Sequence, residues 1–133
     1  MFTLNHTINL NPSLLKMYIE CLIYFGEKQS YLKKRYNADF ILGDVAKISG
    51  NTSLIAGVWY HVAVTCEATG NNAKLFLNGV LDKPSTTLTG NTAGTNLSVG
   101  RILTVKPFVG YISNLRVLNG TALYTADFTP PST

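Results

Sequence analysis

Hydrophobic and polar residues alternate along much of this chain with the two-residue period of β-strands. Residues 2–10 place an apolar side chain or a histidine at every second position, which predicts a half-buried strand. Residues 16–25 (KMYIECLIYF) are rich in β-branched and aromatic types and predict a central strand, with a helix starting near residue 14 as the competing interpretation. Residues 59–66 (WYHVAVTC) are apolar on both faces, which predicts a strand covered on both sides.

Turn residues divide the rest of the chain into short segments. Asn78-Gly79 lies between two apolar runs and predicts a hairpin, because a type I′ turn needs positive φ at both central positions. A Thr-, Gly- and Asn-rich stretch from Pro84 to Thr95 predicts a long exposed loop, with a weak edge strand as the alternative. The remaining strands are expected at 30–33, 38–42, 45–48, 52–55, 97–101 and 108–117.

Size and composition fit one all-β domain spanning residues 1–133. Only 14% of the 133 residues are charged, and small polar residues are abundant, as in antiparallel sheets joined by many turns. We therefore predict a two-sheet antiparallel sandwich of the jelly-roll type.

The net charge of +4 falls short of a nucleic-acid-binding signature. The N-terminal residues 1–6 lack a basic region followed by an apolar stretch, so no signal peptide is expected, and the apolar run at 19–25 is too short to cross a bilayer.

The two cysteines, Cys21 and Cys66, lie in apolar strand-like runs without metal-ligand spacing. We expect buried free thiols, with a disulfide as the alternative.

The sequence shows no arrangement of residues that is typical of a catalytic site. The seven acidic residues are scattered, and no two occupy alternate positions of one strand, whereas a retaining glycosidase needs two carboxyl groups about 5 Å apart. His61 follows Trp59 within a strand, so a packed, hydrogen-bonded histidine is the expected role. We predict that the protein is not an enzyme.

Cofactor and nucleic-acid sites are also disfavoured. Ca²⁺ needs six to eight oxygen ligands, and the aspartates at 39, 44, 82 and 127 are isolated, so neither a metal nor a cofactor is expected. The single basic cluster, Lys33-Lys34-Arg35, is flanked by Tyr31 and Tyr36. Three charges are too few to line a nucleic-acid groove, and we interpret them as a solvated loop or a protected edge strand.

Five segments together resemble the laminin-G-like, concanavalin-A-type lectin/glucanase sandwich. They are YIECLIY (18–24), WYHVAVT (59–65), LFLNGV (75–80), LSVG (97–100) and GYISNLRV (110–117) followed by NGTALYT (119–125). The resemblance covers about residues 17–131. The closing part, GTALYT followed by FTPP, is similar to versions in bacteriophage tail, fibre and other virion proteins. The family's Glu-x-Asp-x-x-Glu pattern is absent, so its catalytic residues have no counterpart in this chain.

The resemblance assigns structural roles to several residues. Trp59 is expected to anchor one sheet against the other and to bury about 150–250 Å². Gly110, like Gly120, is expected to allow positive φ or close backbone approach. Tyr124 and Phe128 are expected to pin the C-terminal tail across the sandwich.

The function expected from the resemblance is contact with a surface. The first hypothesis is a non-catalytic virion decoration or fibre-associated protein, exposed on the particle surface and bound to other virion proteins or to copies of itself. The alternative is a lectin that recognises host surface glycans. Its candidate ligand-binding residues are Tyr31, Tyr36, Asn71, Asn72 and Thr104.

Overall fold

The structure is a computed structural model that describes residues 2–6, 17–25, 38–42, 46–67, 72–87, 97–99, 101–102, 106–107 and 110–132. These residues contain eleven strands and no helix. The strands are β1 (Phe2–His6), β2 (Met17–Phe25), β3 (Ala38–Leu42), β4 (Ala46–Ser49), β5 (Trp59–Glu67), β6 (Asn72–Leu77), β7 (Val80–Thr87), β8 (Leu97–Val99), β9 (Arg101–Ile102), β10 (Lys106–Pro107) and β11 (Gly110–Asn119). The described part of the chain holds no helix long and apolar enough to cross a membrane.

Two main sheets confirm the all-β prediction. Five strands form an antiparallel sheet in the order β11-β2-β5-β6-β7. Four strands form the second sheet in the order β4-β3-β1-β8, and β9 pairs with β10 in a small ladder. Within the second sheet β1 and β3 run parallel, which departs from the fully antiparallel arrangement that the sequence predicted.

One face of the five-stranded sheet, here called the core face, is almost wholly apolar. Successive side chains of a strand point to opposite faces, so the register assigns one alternate set to this face. Its buried members are Cys21, Ile23, Tyr60, Val62, Val64, Cys66, Ala73, Leu75 and Leu77. Strand β4 of the second sheet contacts β6 and β7 and contributes the buried Ile48, so the core lies between the two sheets.

The opposite face, here called the tail face, is covered by the chain after β11. Residues 121–132 have no regular secondary structure and pack over His61, Ala63 and Phe76. Both faces of β5 are therefore buried from Tyr60 to Cys66, which confirms the prediction of a strand covered on both sides.

One predicted strand is wrong. Residues 52–55 form no strand: the loop there is tied to Asp82, which accepts hydrogen bonds from the backbone amides of Asn51 (2.8 Å) and Thr52 (3.1 Å). Strand β7 runs through Pro84 to Thr87, so the start of the stretch predicted as a long loop is an edge strand, as in the alternative interpretation. Proline is compatible with β7 because this strand is at the edge of its sheet and needs no donor on its outer side. The strand predicted at 30–33 lies outside the described residues.

Both cysteines are free and buried on the core face, as predicted. Burial raises the pKa of each thiol to about 12, and the neighbouring Glu20 carboxylate adds to the effect at Cys21. The thiols are therefore protonated at neutral pH.

Candidate functional site

Most of the ligand-binding residues predicted from sequence cannot be placed. Tyr31, Tyr36, Asn71 and Thr104 lie outside the described residues. Asn72 begins β6, where its backbone pairs with Glu67 and Thr87. The candidate site must therefore be sought among the side chains that the structure describes.

Trp59 does not anchor the two sheets, and that prediction is wrong. Its side chain belongs to the tail face rather than the core face, and the residue is 48% exposed. The reason is its position: Trp59 is the first residue of β5, whereas Phe128 of the tail packs against His61, two residues further along the strand. The core face next to it is filled by Tyr60, which is 8% exposed.

Three aromatic side chains form a row across three neighbouring strands, with the exposed Tyr111 and Trp59 at its ends and the half-buried Tyr24 between them. Tyr111 of β11 is opposite Tyr24 of β2, and Tyr24 is opposite Trp59 of β5. The ring centroids of Tyr24 lie 5.8 Å from Tyr111 and 5.3 Å from Trp59. Since strands lie about 4.8 Å apart, the row is about 10 Å long. Tyr111 is 68% exposed, so a large apolar surface faces solvent at this end of the sheet.

A buried polar cluster lies on the same face, further along the strands. Glu20 of β2 is 5% exposed, and its Oε2 lies 2.6 Å from Nε2 of His61 on β5. Its other oxygen, Oε1, accepts a hydrogen bond from Arg116 of β11 over 2.7 Å. The packed histidine predicted from sequence is confirmed by this bond. Both carboxylate oxygens are engaged, and the charge of the buried Glu20 is balanced by Arg116, whose own side chain is 44% exposed.

A cavity of about 60 Å³ lies between the five-stranded sheet and the end of the tail. On the sheet side it is lined by Glu20, Cys21, Leu22 and His61, together with Asn114, Pro131 and Ser132. Asn114 has a positive φ of 53°, at the irregularity where the register between β11 and β2 shifts. Asparagine tolerates this conformation, and the resulting bulge brings residue 114 to the cavity.

The tail is fixed to the β6–β7 hairpin. Asn78 and Gly79 have φ values of 52° and 81°, which confirms the predicted turn with two positive φ angles. The amide of Phe128 donates a hydrogen bond of 2.8 Å to the carbonyl of Gly79. A Cβ atom on Gly79 would overlap the carbonyl oxygen of Phe128 and lie 2.8 Å from Cδ of Pro130. Glycine is therefore required here for close approach as well as for φ.

Aromatic contacts hold the same segment on the tail face. Tyr124 stacks on Phe128 with centroids 3.8 Å apart, and Phe128 makes edge contacts with Phe76 and His61. The predicted pinning of the tail by Tyr124 and Phe128 is confirmed. Gly110 and Gly120, expected to allow positive φ or close backbone approach, have φ values of 152° and 85°, which confirms positive φ at both positions.

The described side chains include no group of three or more histidine, cysteine, aspartate or glutamate residues that could hold a metal ion. The chemistry that they offer is apolar stacking on the aromatic row, with a small cavity of mixed polar and apolar lining on the same sheet. Pairing of residues distant in sequence creates this site: Glu20 and His61 are 41 residues apart. The sequence alone does not give the register of β2 with β5, so it could not predict that these two side chains meet.

Comparison with known proteins agrees with this architecture. A family model described as the concanavalin A-like lectin/glucanases superfamily matches residues 23–126. No curated protein and no solved structure gives a significant match.

Proposed function

Because the chain belongs to the concanavalin A-like lectin/glucanase superfamily, we propose that it is a non-catalytic domain that binds carbohydrate through the row of Tyr111, Tyr24 and Trp59. The observation that carries the proposal is that these three rings lie side by side on adjacent strands, with Tyr111 and Trp59 exposed and Tyr24 half-buried between them. The virion role considered first from sequence becomes the proposed setting of this activity.

Ring geometry supports a saccharide chain as the ligand. The C–H faces of a pyranose pack against aromatic rings, and aromatic side chains supply large contact area with little loss of conformational entropy. The ring of Tyr24 is inclined by 44° to Trp59 and by 42° to Tyr111. Three rings inclined in this way cannot all lie flat on one plane. The row therefore suits a soluble, twisted glycan better than the flat surface of a crystalline polysaccharide.

The contacts of the Glu20 carboxylate support the proposal that the domain is not catalytic. Hydrolysis of a glycosidic bond usually needs two carboxyl groups on either side of it. Glu20 is the carboxylate nearest to the cavity in the described structure, and its oxygens are occupied by His61 and Arg116. Reorienting Glu20 towards a substrate would leave a buried charge without its partners, at a cost of roughly 3–5 kcal/mol.

A glycan array tests the proposal directly. The purified chain should bind at least one class of saccharide, and Trp59→Ala and Tyr111→Ala should each reduce that binding at least ten-fold without changing stability by more than about 1 kcal/mol. Val80→Ala is the matched control, because Val80 is an equally exposed apolar residue (58%) outside the row. Binding that is unchanged in both aromatic variants would contradict the proposal.

For the setting, we propose the surface of a virus particle, with other virion proteins or further copies of this chain as partners. Support comes from the closing part of the chain, GTALYT followed by FTPP (residues 120–131), which resembles versions in virion proteins of bacteriophages. In this setting the sandwich is a rigid decoration or fibre-associated unit, and the aromatic row faces outward towards host glycans.

Two measurements test the setting separately from the ligand. Mass photometry at micromolar concentration should show discrete assemblies of the purified chain. An antibody against the chain should label intact particles at many sites. A monomeric chain that does not label particles would remove the virion proposal while leaving the carbohydrate proposal intact.

A further inference from the structure

Strand β11 lies at one edge of the five-stranded sheet, and β7 lies at the other. Among the described strands β11 pairs only with β2, and with ten residues it is the longest of them. The outer side of an edge strand presents backbone N–H and C=O groups that can pair with another chain. Proteins usually prevent such pairing with charged side chains or proline, so the two edges can be compared for these residues.

The two edges differ in this protection. Strand β7 carries Asp82, Lys83 and Pro84 in succession, and both charge and the missing N–H of proline oppose pairing with another strand. The first half of β11, Gly110 to Asn114 (GYISN), contains neither a charged residue nor a proline, and the same holds for residues 108–115. The first half of β11 is therefore an edge without the usual protection.

Charge and exposure indicate which partner fits this edge. Tyr111 is 68% exposed, more than any other large apolar residue of the described chain, and its ring contacts Tyr24 on the side of β2. A charged partner would find no opposite charge on this segment. An identical uncharged strand can pair with it without bringing like charges together, although each copy has a net charge of +4. The edge therefore favours a second copy of this chain.

We propose that two copies of the chain associate through antiparallel pairing of the first half of β11, with Tyr111 opposite Tyr111 of the second copy. A twofold axis perpendicular to the sheet produces this interface from the same segment of both copies. The bulge that begins at Asn114 interrupts the regular strand, so the pairing is confined to the residues before it. The two five-stranded sheets then form one continuous sheet.

This arrangement leaves the aromatic row accessible. Pairing between edges covers neither face of the sheet, and the twofold axis places both tail faces on the same side. The rows of Tyr111, Tyr24 and Trp59 then meet end to end, and six neighbouring strands about 4.8 Å apart give a combined row about 24 Å long. A long saccharide can contact both rows, which raises its apparent affinity. The inference rests on the proposed partnership between copies of the chain and names the surface that joins them.

A cysteine at position 111 tests the pairing and its register. Residues directly opposite in an antiparallel pair have Cα atoms about 4.5–5.5 Å apart, which a disulfide can span. With oxidised glutathione as the oxidant, Tyr111→Cys should therefore form a disulfide-linked dimer, and the glutathione disulfide is reduced to two thiols. In Ser113→Cys the two cysteines of a dimer would lie about 14 Å apart and should not link. Val80→Cys, on the other edge strand and 58% exposed, is the second control. The two native cysteines are buried and do not compete.

Analytical ultracentrifugation tests the association without a disulfide. A pairing of about four residues is a small interface, so we expect a monomer–dimer equilibrium that shifts to monomer on dilution. Ser113→Lys adds a charge to the exposed edge and should weaken the dimer at least ten-fold, whereas Val80→Lys should leave it unchanged.

Two results would overturn the inference. One is a chain that stays monomeric over a roughly hundred-fold range of concentration. The other is Tyr111→Cys linking no faster than Ser113→Cys and Val80→Cys. Because neither measurement contains a saccharide, such a result leaves the carbohydrate proposal standing. A dimer that binds no saccharide on the glycan array would instead support the interface and contradict the proposed function.

Discussion

Replacing Gly79 by alanine separates the two reasons why glycine occupies the β6–β7 turn. Gly79 has a φ of 81°, and Gly120 has a closely similar φ of 85°. A Cβ on Gly120 would meet no atom within 4 Å, whereas a Cβ on Gly79 would overlap the backbone of Phe128. Gly120→Ala therefore measures the conformational cost alone, and Gly79→Ala adds the cost of displacing the tail.

The magnitudes differ enough to be measured. A left-handed conformation costs a non-glycine residue about 1–2 kcal/mol, which is the loss expected for Gly120→Ala. In Gly79→Ala the hydrogen bond from the Phe128 amide to the residue 79 carbonyl is also lost, at about 0.5–1.5 kcal/mol. Withdrawal of the half-buried Phe128 ring from Phe76 adds about 1–2 kcal/mol. The expected total for Gly79→Ala is about 3–5 kcal/mol.

Urea unfolding and limited proteolysis give the two readouts. Chymotrypsin should cleave at Tyr124 or Phe128 much faster in Gly79→Ala than in Gly120→Ala, because only the former displaces the tail. Equal destabilisation of the two variants, with equal cleavage rates, would refute the conclusion that the tail docks on the hairpin turn.

Three further predictions concern the polar cluster, the thiols and the loop before β5. Glu20→Ala leaves His61 without its partner and should lower the free energy of unfolding by about 3–5 kcal/mol, while Glu20→Gln should lose clearly less; similar losses in urea titrations would contradict this. Because burial raises the pKa of Cys21 and Cys66 to about 12, against 9.0 in the unfolded chain, unfolding releases protons above pH 9 and stability falls as pH rises towards 12. The fall should be roughly 1.4 kcal/mol per thiol by pH 10, and Cys66→Ala should show about half of it; an undiminished fall would contradict the assignment. Asp82→Ala should cost about 1–2 kcal/mol and speed hydrogen exchange at residues 51 and 52, whereas unchanged exchange would show that Asp82 does not hold the loop.

Short sequence patterns predicted the parts of the fold that depend on the residues of a single segment. The Asn78-Gly79 turn requires positive φ at both positions, and few residue pairs other than Asn-Gly meet that requirement. The apolar character of both faces of residues 59–66 likewise predicted that a second layer covers β5. That layer is the tail, whose aromatic residues Tyr124 and Phe128 were identified in advance.

Features that depend on pairing between distant segments were not predicted. Trp59 was expected in the core because large aromatic residues are usually buried, yet its place at the start of β5 leaves it exposed. The contact of Glu20 with His61 and Arg116 depends on the register of β2 with β5 and β11. A shift of one residue in either pairing would move Glu20 to the opposite face relative to its partners and remove the contact. The cavity depends in addition on the path of the tail and on the bulge at Asn114.

The central claim is that carbohydrate binds on the row of Tyr111, Tyr24 and Trp59. It is tested most directly by nuclear magnetic resonance of the isotope-labelled chain, titrated with the saccharide that binds best on the glycan array. We predict that the largest shift changes occur at the indole N–H of Trp59 and at the backbone amides of Tyr24 and Tyr111, with little change at Val80. Saturable shifts that leave these three residues unaffected and cluster elsewhere would contradict the account.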